Sequence, residues 1–437
     1  MSRVSSVWVA VALWLGMMPL TAHAELQVET ARLGHGVRAW YANNANVPVV
    51  HVMLSFQGAG SVSDPAGQAG RAALAANLLT EGAGSLDALA FQQAMEAHAI
   101  SISAEVDQDR LTIHVHALRE HAAKAGELLA MALTQPQFAE ADVQRVKMQT
   151  ASMLARLQES SSYRAQRAFA ATAFAGHPYA SPTQGTVQNV SSLQPDDLRR
   201  YMQTYVARNN LLVTAAGDVD GSVLRDMLQS LVDTLPRSDA GDLPVVKARL
   251  HGAGSTLRVP MQVPQSHVMI AGPGMERSDP RYYAYTMLNE VIGGNGLISR
   301  LAEAVRQEKG LAYGVSSSPV PLEGAPLWQL TLDTSAATTD EAIATVRSTL
   351  AAVRTQGITA RECEDARTHA LGSALIQLDG SQPIAAMLMA MRIYDLGEDY
   401  LQERSEKFNA VRCKDVNALA KEWLNPAQWT TVIAGAP

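Results

Sequence analysis

Hydrophobic and polar positions along the chain follow two rhythms, an alternation of period two and a stripe of period about 3.6, and their order is the same twice over. In the first half the alternation predicts two short strands within 27–42 around Gly34-His35-Gly36, and a strongly apolar strand over 49–56. It also predicts a hairpin of 101–106 with 110–117, and a closing strand over 210–217. Helical spacing predicts helices over 69–81, 86–97, 120–134, 141–158, 160–174 and 192–206. Pro236, Gly241, Pro244, Gly252 and Gly254 then break the rhythm and mark a linker.

Beyond the linker the series repeats. A strand over 263–271 is followed by Arg277-Ser278-Asp279-Pro280, which parallels Ser61-Val62-Ser63-Asp64-Pro65. Helices follow over 282–292 and 298–309, a hairpin over 313–318 and 328–334, an amphipathic helix over 339–356, helical sequence from 360, a helix over 413–423 and a strand over 430–434. The pattern predicts an α+β fold of two tandem homologous domains, 25–235 and 256–437, joined by a linker over 236–255. Each is a mainly antiparallel sheet with helices on one face, and the pair forms a clamshell.

The ends and the composition narrow the setting. Arg3, an apolar run over 7–20 and Ala22-His23-Ala24 have the form of a cleavable export signal, with the cut after Ala24. No later run of about 18 apolar residues predicts a membrane span. The expected location is the periplasm. The whole chain of 437 residues has formal net charge −7 with no basic block, which argues against a nucleic-acid partner. The cysteines are Cys363 and Cys413, each near the start of a predicted helix; the sequence leaves open whether they pair.

The stretch from Gly293-Gly294-Asn295-Gly296 to Tyr313 reads as a small-residue turn, a helix with Leu297, Leu301 and Val305 in one apolar stripe, a stop at Gly310, and a strand from Leu311. Arg306 and Tyr313 then leave the helix end and the strand start close together. Taken alone they read as a surface Arg and a half-buried strand Tyr. Two other patterns carry little. His116-Ala117-Leu118-Arg119-Glu120-His121 is one residue too long for a helical metal pair, which would point about 140° apart. His114 and His116 share one strand face, a two-His surface site at most. No Gly-x-Ser-x-Gly occurs, and no Lys-Ser/Thr follows the glycines at 293–296.

Doubled in this way, the order resembles the insulinase (pitrilysin) family of zinc peptidases, which includes the mitochondrial processing peptidases. Three stretches carry the resemblance: Ser63-Asp64-Pro65-Ala66-Gly67, Gly176-His177-Pro178-Tyr179-Ala180-Ser181-Pro182, and 293–313 with Arg306 and Tyr313 seven residues apart. Active members carry HxxEH on the helix that here contains Gly70 to Leu79. The motif positions fall on Ala73, Ala76 and Asn77, and the expected third ligand, a Glu near 148–153, is absent. Zinc needs about three protein ligands and a base for its water.

The resemblance therefore implies a metal-free, non-catalytic subunit, predicted to be inactive alone. Zinc is expected in a homologous HxxEH-bearing partner of a heterodimer. This chain would supply Arg306 and Tyr313 to the partner's active site and bind extended peptide or unfolded protein along a sheet edge. The alternative is a clamshell that binds peptide or acts as a scaffold, with no peptidase role.

Overall fold

The structure, a computed structural model, describes residues 26–242, 245–376 and 378–435. The export signal expected over 1–24 lies outside the described residues. Eleven strands form two sheets among the described residues. The first sheet is built from β1 (Glu29–Arg32), β2 (Arg38–Asn43), β3 (Val49–Gln57), β4 (Ser101–Val106), β5 (Arg110–Leu118) and β6 (Leu211–Gly217), in the order β1-β2-β6-β3-β5-β4. The second holds β7 (Thr256–Pro260), β8 (Gln265–Pro273), β9 (Ala312–Val320), β10 (Leu327–Ser335) and β11 (Thr430–Gly435), in the order β7-β11-β8-β10-β9. Leaving out β1, the two orders coincide position by position. In each sheet one pair is parallel, β2 with β6 and β7 with β11, and the rest are antiparallel. The sequence repeat is thus a repeat of topology.

Each sheet buries one face under helices of its own half. Val50, Val52, Leu54 and Phe56 of β3 alternate into a core shared with Leu128, Leu129, Leu228 and Leu231. In the second half Trp328, Leu330 and Leu332 of β10 do the same against Ile343, Val346 and Leu350. The other face of each sheet receives a helix from the opposite half. Ala165, Phe169 and Ala173 of helix Ser161–Ala173 pack with Met269 and Ala271 of β8 and Val432 and Ala434 of β11. Ile384, Ala385 and Leu388 of helix Ser381–Ile393 pack with Ala42, Met53 and Ala216 of the first sheet. Thr214 Oγ1 donates to the Ala385 carbonyl at 2.9 Å beneath that helix. The exchange is reciprocal.

Several predicted elements change in extent. The helix expected over 69–81 is Arg71–Asn77 only, the one over 192–206 is Pro195–Tyr205, and a short helix, Val187–Ser192, precedes it. Helix Gly221–Thr234, capped by the Asp220 carboxylate on the N–H groups of Ser222 and Val223, was not anticipated. Gly293 and Gly294 continue helix Tyr282–Asn289 as a wide helical turn, Glu290–Gly294, rather than forming a turn between elements. Gly293 is needed because a Cβ there would stand 2.7 Å from the Ser317 nitrogen of β9. Leu297 leaves the predicted apolar stripe: it lies in a short turn, Gly296–Ile298, and is exposed, whereas Leu301 and Val305 are fully buried.

Cys363 and Cys413 form a disulfide, with a Cα–Cα distance of 5.8 Å. It ties helix Ala360–Ile376 to helix Cys413–Trp423. Closing a loop of this length stabilises a fold by about 2–4 kcal/mol, mainly by restricting the unfolded chain.

A buried polar latch joins the halves. Asp109, at the tip of the β4–β5 hairpin, accepts the Tyr179 hydroxyl and, at 3.1 Å, the Glu323 N–H from the β9–β10 connection. The Tyr179 oxygen accepts the Gly324 N–H at 2.8 Å, and Arg110 pairs with Glu323. His177 positions Tyr179: its Nδ1 accepts the Tyr179 N–H at 3.1 Å, so its Nε2 is the donor to the Val246 carbonyl, also at 3.1 Å. Burial and the Asp109 carboxylate push the Tyr179 phenol far above its ordinary value. The Gly176-His177-Pro178-Tyr179 stretch therefore holds the halves together.

Candidate functional site

Helix Arg71–Asn77 is where a metal motif would stand. Its N-terminus is built by the Ser63-Asp64-Pro65-Ala66-Gly67 stretch. The Asp64 carboxylate accepts the Gly70 N–H at 2.8 Å and the Ala72 N–H at 2.9 Å, which satisfies two of the free donors of the first turn. Gly70 has φ +92°, and a Cβ there would meet the Gln184 carbonyl at 2.8 Å, so only glycine enters the helix this way. Arg71 is buried, donates to the Ser63 carbonyl at 2.6 Å, and lies against the Tyr201 and Tyr205 rings. Burial raises Asp64 to about 6, against the pull of these donors and of Arg71.

The motif positions themselves face two ways. Ala73 and Ala76 are buried, and Asn77 is exposed. Two methyl groups and one carboxamide offer no zinc ligand set, so these residues do not fit a resident zinc ion. The neighbouring helix Glu140–Leu157, on which the resemblance places the third ligand that this sequence lacks, turns Lys147 inward, where its ammonium donates to the Leu193 carbonyl at 2.8 Å.

Arg306 and Tyr313 are brought together. Arg306 lies on the wide helical segment Ala302–Glu308 and Tyr313 on β9, an edge strand. The backbone between them turns sharply at Gly310, φ +61°, where Leu311 N–H donates to the Val305 carbonyl at 2.8 Å. The guanidinium carbon sits 4.9 Å from the Tyr313 ring centroid, a cation–π stack. Tyr313 is 86% exposed, not half-buried, while Arg306 is half-buried. Among the described residues Arg306 makes no ion pair and the Tyr313 hydroxyl no hydrogen bond, so both groups present unused donors to solvent. Leu297 and Ile298, also exposed, precede the same segment, and Gln307 Nε2 holds the Leu297 carbonyl at 2.5 Å. The equivalent edge of the first sheet is β4, against which helix Arg71–Asn77 packs. Arg306/Tyr313 and the altered metal motif therefore each adjoin the free edge of their own sheet.

His114 and His116 do share a strand face, and a third histidine that sequence reasoning missed stands beside them. His51 on β3 is directly opposite His116 on β5, and its ring lies 5.7 Å from that of His114 and 6.1 Å from that of His116. Neither of its ring nitrogens has a hydrogen-bond partner, and it is 3% exposed. Burial and the two neighbouring imidazoles lower it to about 4. An unfolded His51 protonates near 6.5, so between pH 6.5 and 4 the unfolded chain takes up a proton that the folded chain refuses. Its contribution is complete above pH 6.5 and is lost as pH falls to 4, by up to ~3 kcal/mol. Asp64 acts with the opposite sign, since folded protein gains its proton near pH 6 and unfolded chain only near 3.8. Comparison with a variant isolates the histidine. In urea unfolding at stepped pH, the parent is expected to lose stability from pH 6.5 to 4 more steeply than His51→Leu. Parallel curves would show that His51 does not titrate as its burial requires.

Residues 38–187 match the family described as insulinase (peptidase family M16), and residues 192–369 match the peptidase M16 inactive domain. Among curated proteins, the chain is 27% identical over 333 residues to the "Non-peptidase homolog YmxG" of Helicobacter pylori, covering 76% of each. It is 24% identical to the "Uncharacterized zinc protease YmxG" of Bacillus subtilis, covering 89% of this chain and 93% of the other. Among solved structures, a peptidase M16 inactive domain from Pseudomonas fluorescens superposes with TM-score 0.86 at 24% identity, over 94% of this chain and 99% of that one. A chain of complex III2 from Candida albicans superposes with TM-score 0.75 at 20% identity, over 93% of this chain and 96% of that one. At these identities the superpositions speak for the fold.

Proposed function

Because this chain belongs to the insulinase family of peptidases, M16, as a homologue without the metal motif, we propose that it is the non-catalytic subunit of a two-chain peptidase. A homologous HxxEH-bearing chain holds the zinc and the general base. This chain binds extended peptide and lends Arg306 and Tyr313 to the partner's site. The observation that carries the reading is the stacked Arg306/Tyr313 pair, with donors unused among the described residues and Tyr313 86% exposed. Peptide hydrolysis builds negative charge on the scissile carbonyl oxygen, and a guanidinium and a phenol can donate to that oxygen without supplying a nucleophile. The free edges β4 and β9 offer unpaired backbone groups to an extended peptide. The disulfide supports an oxidising compartment, in keeping with export to the periplasm.

The test is reconstitution. The purified chain is expected to hold no stoichiometric zinc and to cleave no fluorogenic peptide. Mixed with an exported, HxxEH-bearing chain of similar length, it forms a 1:1 complex in native mass spectrometry, and zinc-dependent cleavage appears. Zinc-dependent cleavage by the chain alone would overturn the reading. A second reading is a binding or scaffold role without proteolysis. It is favoured by the "non-peptidase" designation of the Helicobacter relative. A stable complex that stays inactive with its metal-loaded partner would select it.

A further inference from the structure

A spacious cleft adjoins neither Arg306/Tyr313 nor helix Arg71–Asn77. It has a volume of about 770 Å³ and lies in the second half. Its walls are the loop and first turn at 277–284, the turn after helix Ser381–Ile393, the end of helix Tyr400–Ala410, and helix Cys413–Trp423. A second cleft of about 360 Å³ shares Arg277, Ser278, Tyr394 and Asp395 with it and runs on to Gln57 of the first half.

Most charges on the walls are already paired. Arg281 is held by Asp279 and Glu422, Lys407 by Glu403, and Asp415 by Arg412. Two are not. Arg277 and Asp395 have no partner of opposite charge within 4 Å among the described residues, and both line both clefts. Arg277 is nonetheless firmly placed. Its guanidinium donates to the Tyr400 hydroxyl and lies 4.2 Å from the Tyr282 ring centroid, 5.3 Å from that of Tyr400 and 5.9 Å from that of Tyr283. A stacked, half-buried guanidinium with no carboxylate of its own has its planar fork set for a carboxylate from outside. Asp395 sits in the turn after helix Ser381–Ile393 with φ +50°, a conformation that an aspartate tolerates better than most side chains, and its carboxylate is exposed to the cleft. Tyr283, Tyr394, Leu396, Val411 and Leu419 supply apolar wall between these two charges.

We infer that this cleft is a binding site for a small zwitterion, a dipeptide or a comparably short peptide, whose carboxylate pairs with Arg277 and whose ammonium pairs with Asp395. One unpaired cation and one unpaired anion on an otherwise neutralised, partly apolar wall match a ligand that carries both charges and an apolar body. A singly charged ligand leaves one of the two unmet. The site needs no contribution from Arg306 or Tyr313 and stands whether or not the chain serves a peptidase.

Isothermal titration of the full purified chain tests this, with leucyl-leucine as probe beside its N-acetyl and C-terminal amide forms. The uncapped dipeptide is expected to bind, and each cap to weaken it by about tenfold or more through loss of one charge-assisted contact. Asp395→Asn, on an exposed turn, should bring uncapped dipeptide down to the affinity of the N-acetyl form and leave the N-acetyl form unchanged. Arg277→Gln should act in the same way on the carboxylate side; circular dichroism and thermal unfolding check its fold, because Arg277 also packs on three rings. No binding of leucyl-leucine, equal binding of all three probes, or unchanged titration by Asp395→Asn would each overturn the assignment.

Discussion

In the reconstituted complex, Arg306→Ala and Tyr313→Phe should each lower kcat/KM by on the order of 10²–10³-fold, with complex formation and zinc content unchanged. The size follows from where the donors sit. In the isolated chain Tyr313 is 86% exposed, and a hydroxyl in water gains little by turning to a carbonyl oxygen. Once a partner closes over β9, the same donors act in a water-excluded cavity on a charge that grows only in the transition state. The effect should therefore fall on kcat. If either substitution raises KM alone, the pair holds ground-state peptide and does not stabilise the oxyanion. If both leave the kinetics untouched, the pair lies outside the composite site. Arg306→Lys separates charge from geometry: it keeps the cation and loses the planar fork stacked on Tyr313.

Asp109→Ala is expected to cost about 2–4 kcal/mol and to loosen the contact between the halves. Asp109 is 5% exposed, and it accepts both the Tyr179 hydroxyl and the Glu323 N–H. Removing it strands two donors, the Tyr179 hydroxyl and the Glu323 N–H. Tyr179→Phe, which frees one acceptor and one N–H, should cost about 1–2 kcal/mol. Urea unfolding gives the energies. Hydrogen exchange at 321–326 reads the contact itself, and should quicken in both variants before global unfolding. An Asp109→Ala protein within about 0.5 kcal/mol of the parent, with unchanged exchange there, would show that the latch carries no load.

How much was legible in the sequence depended on whether a signal was local. Helices Thr339–Gln356 and Cys413–Trp423 have the bounds that periodicity predicts, and β4 and β5 do so within a residue, because caps, turns and alternation are read from near neighbours. Helix Gly221–Thr234 carries its own local signal, Asp220 ahead of Leu224, Met227, Leu228 and Leu231. Leu297 was placed on a helix because its spacing to Leu301 and Val305 was right, but Gly296 and the Ser299 cap start the helix after it. The loss of the metal motif at Ala73, Ala76 and Asn77 could be read directly, since an alanine cannot bind zinc in any fold. His51 could not be joined to His114 and His116, because strand register is not written in either strand alone. The same holds for the charges of the large cleft: that Arg277 and Asp395 are unpaired depends on every neighbour brought in from 282 to 422.

The exchanged helices bear on how such a molecule can open. Helix Ser161–Ala173 leaves the lobe whose sequence surrounds it and is seated on the other, and helix Ser381–Ile393 returns the favour. This is the geometry of two half-length chains that have swapped an arm, with the segment at 236–255 as a covalent join added across it. A swing of the lobes about that join would unseat both arms and uncover Phe169, Met269, Leu388 and Met53 together. On the proposed function, an extended peptide would meet the rim, along β4 and β9, where no arm has to move.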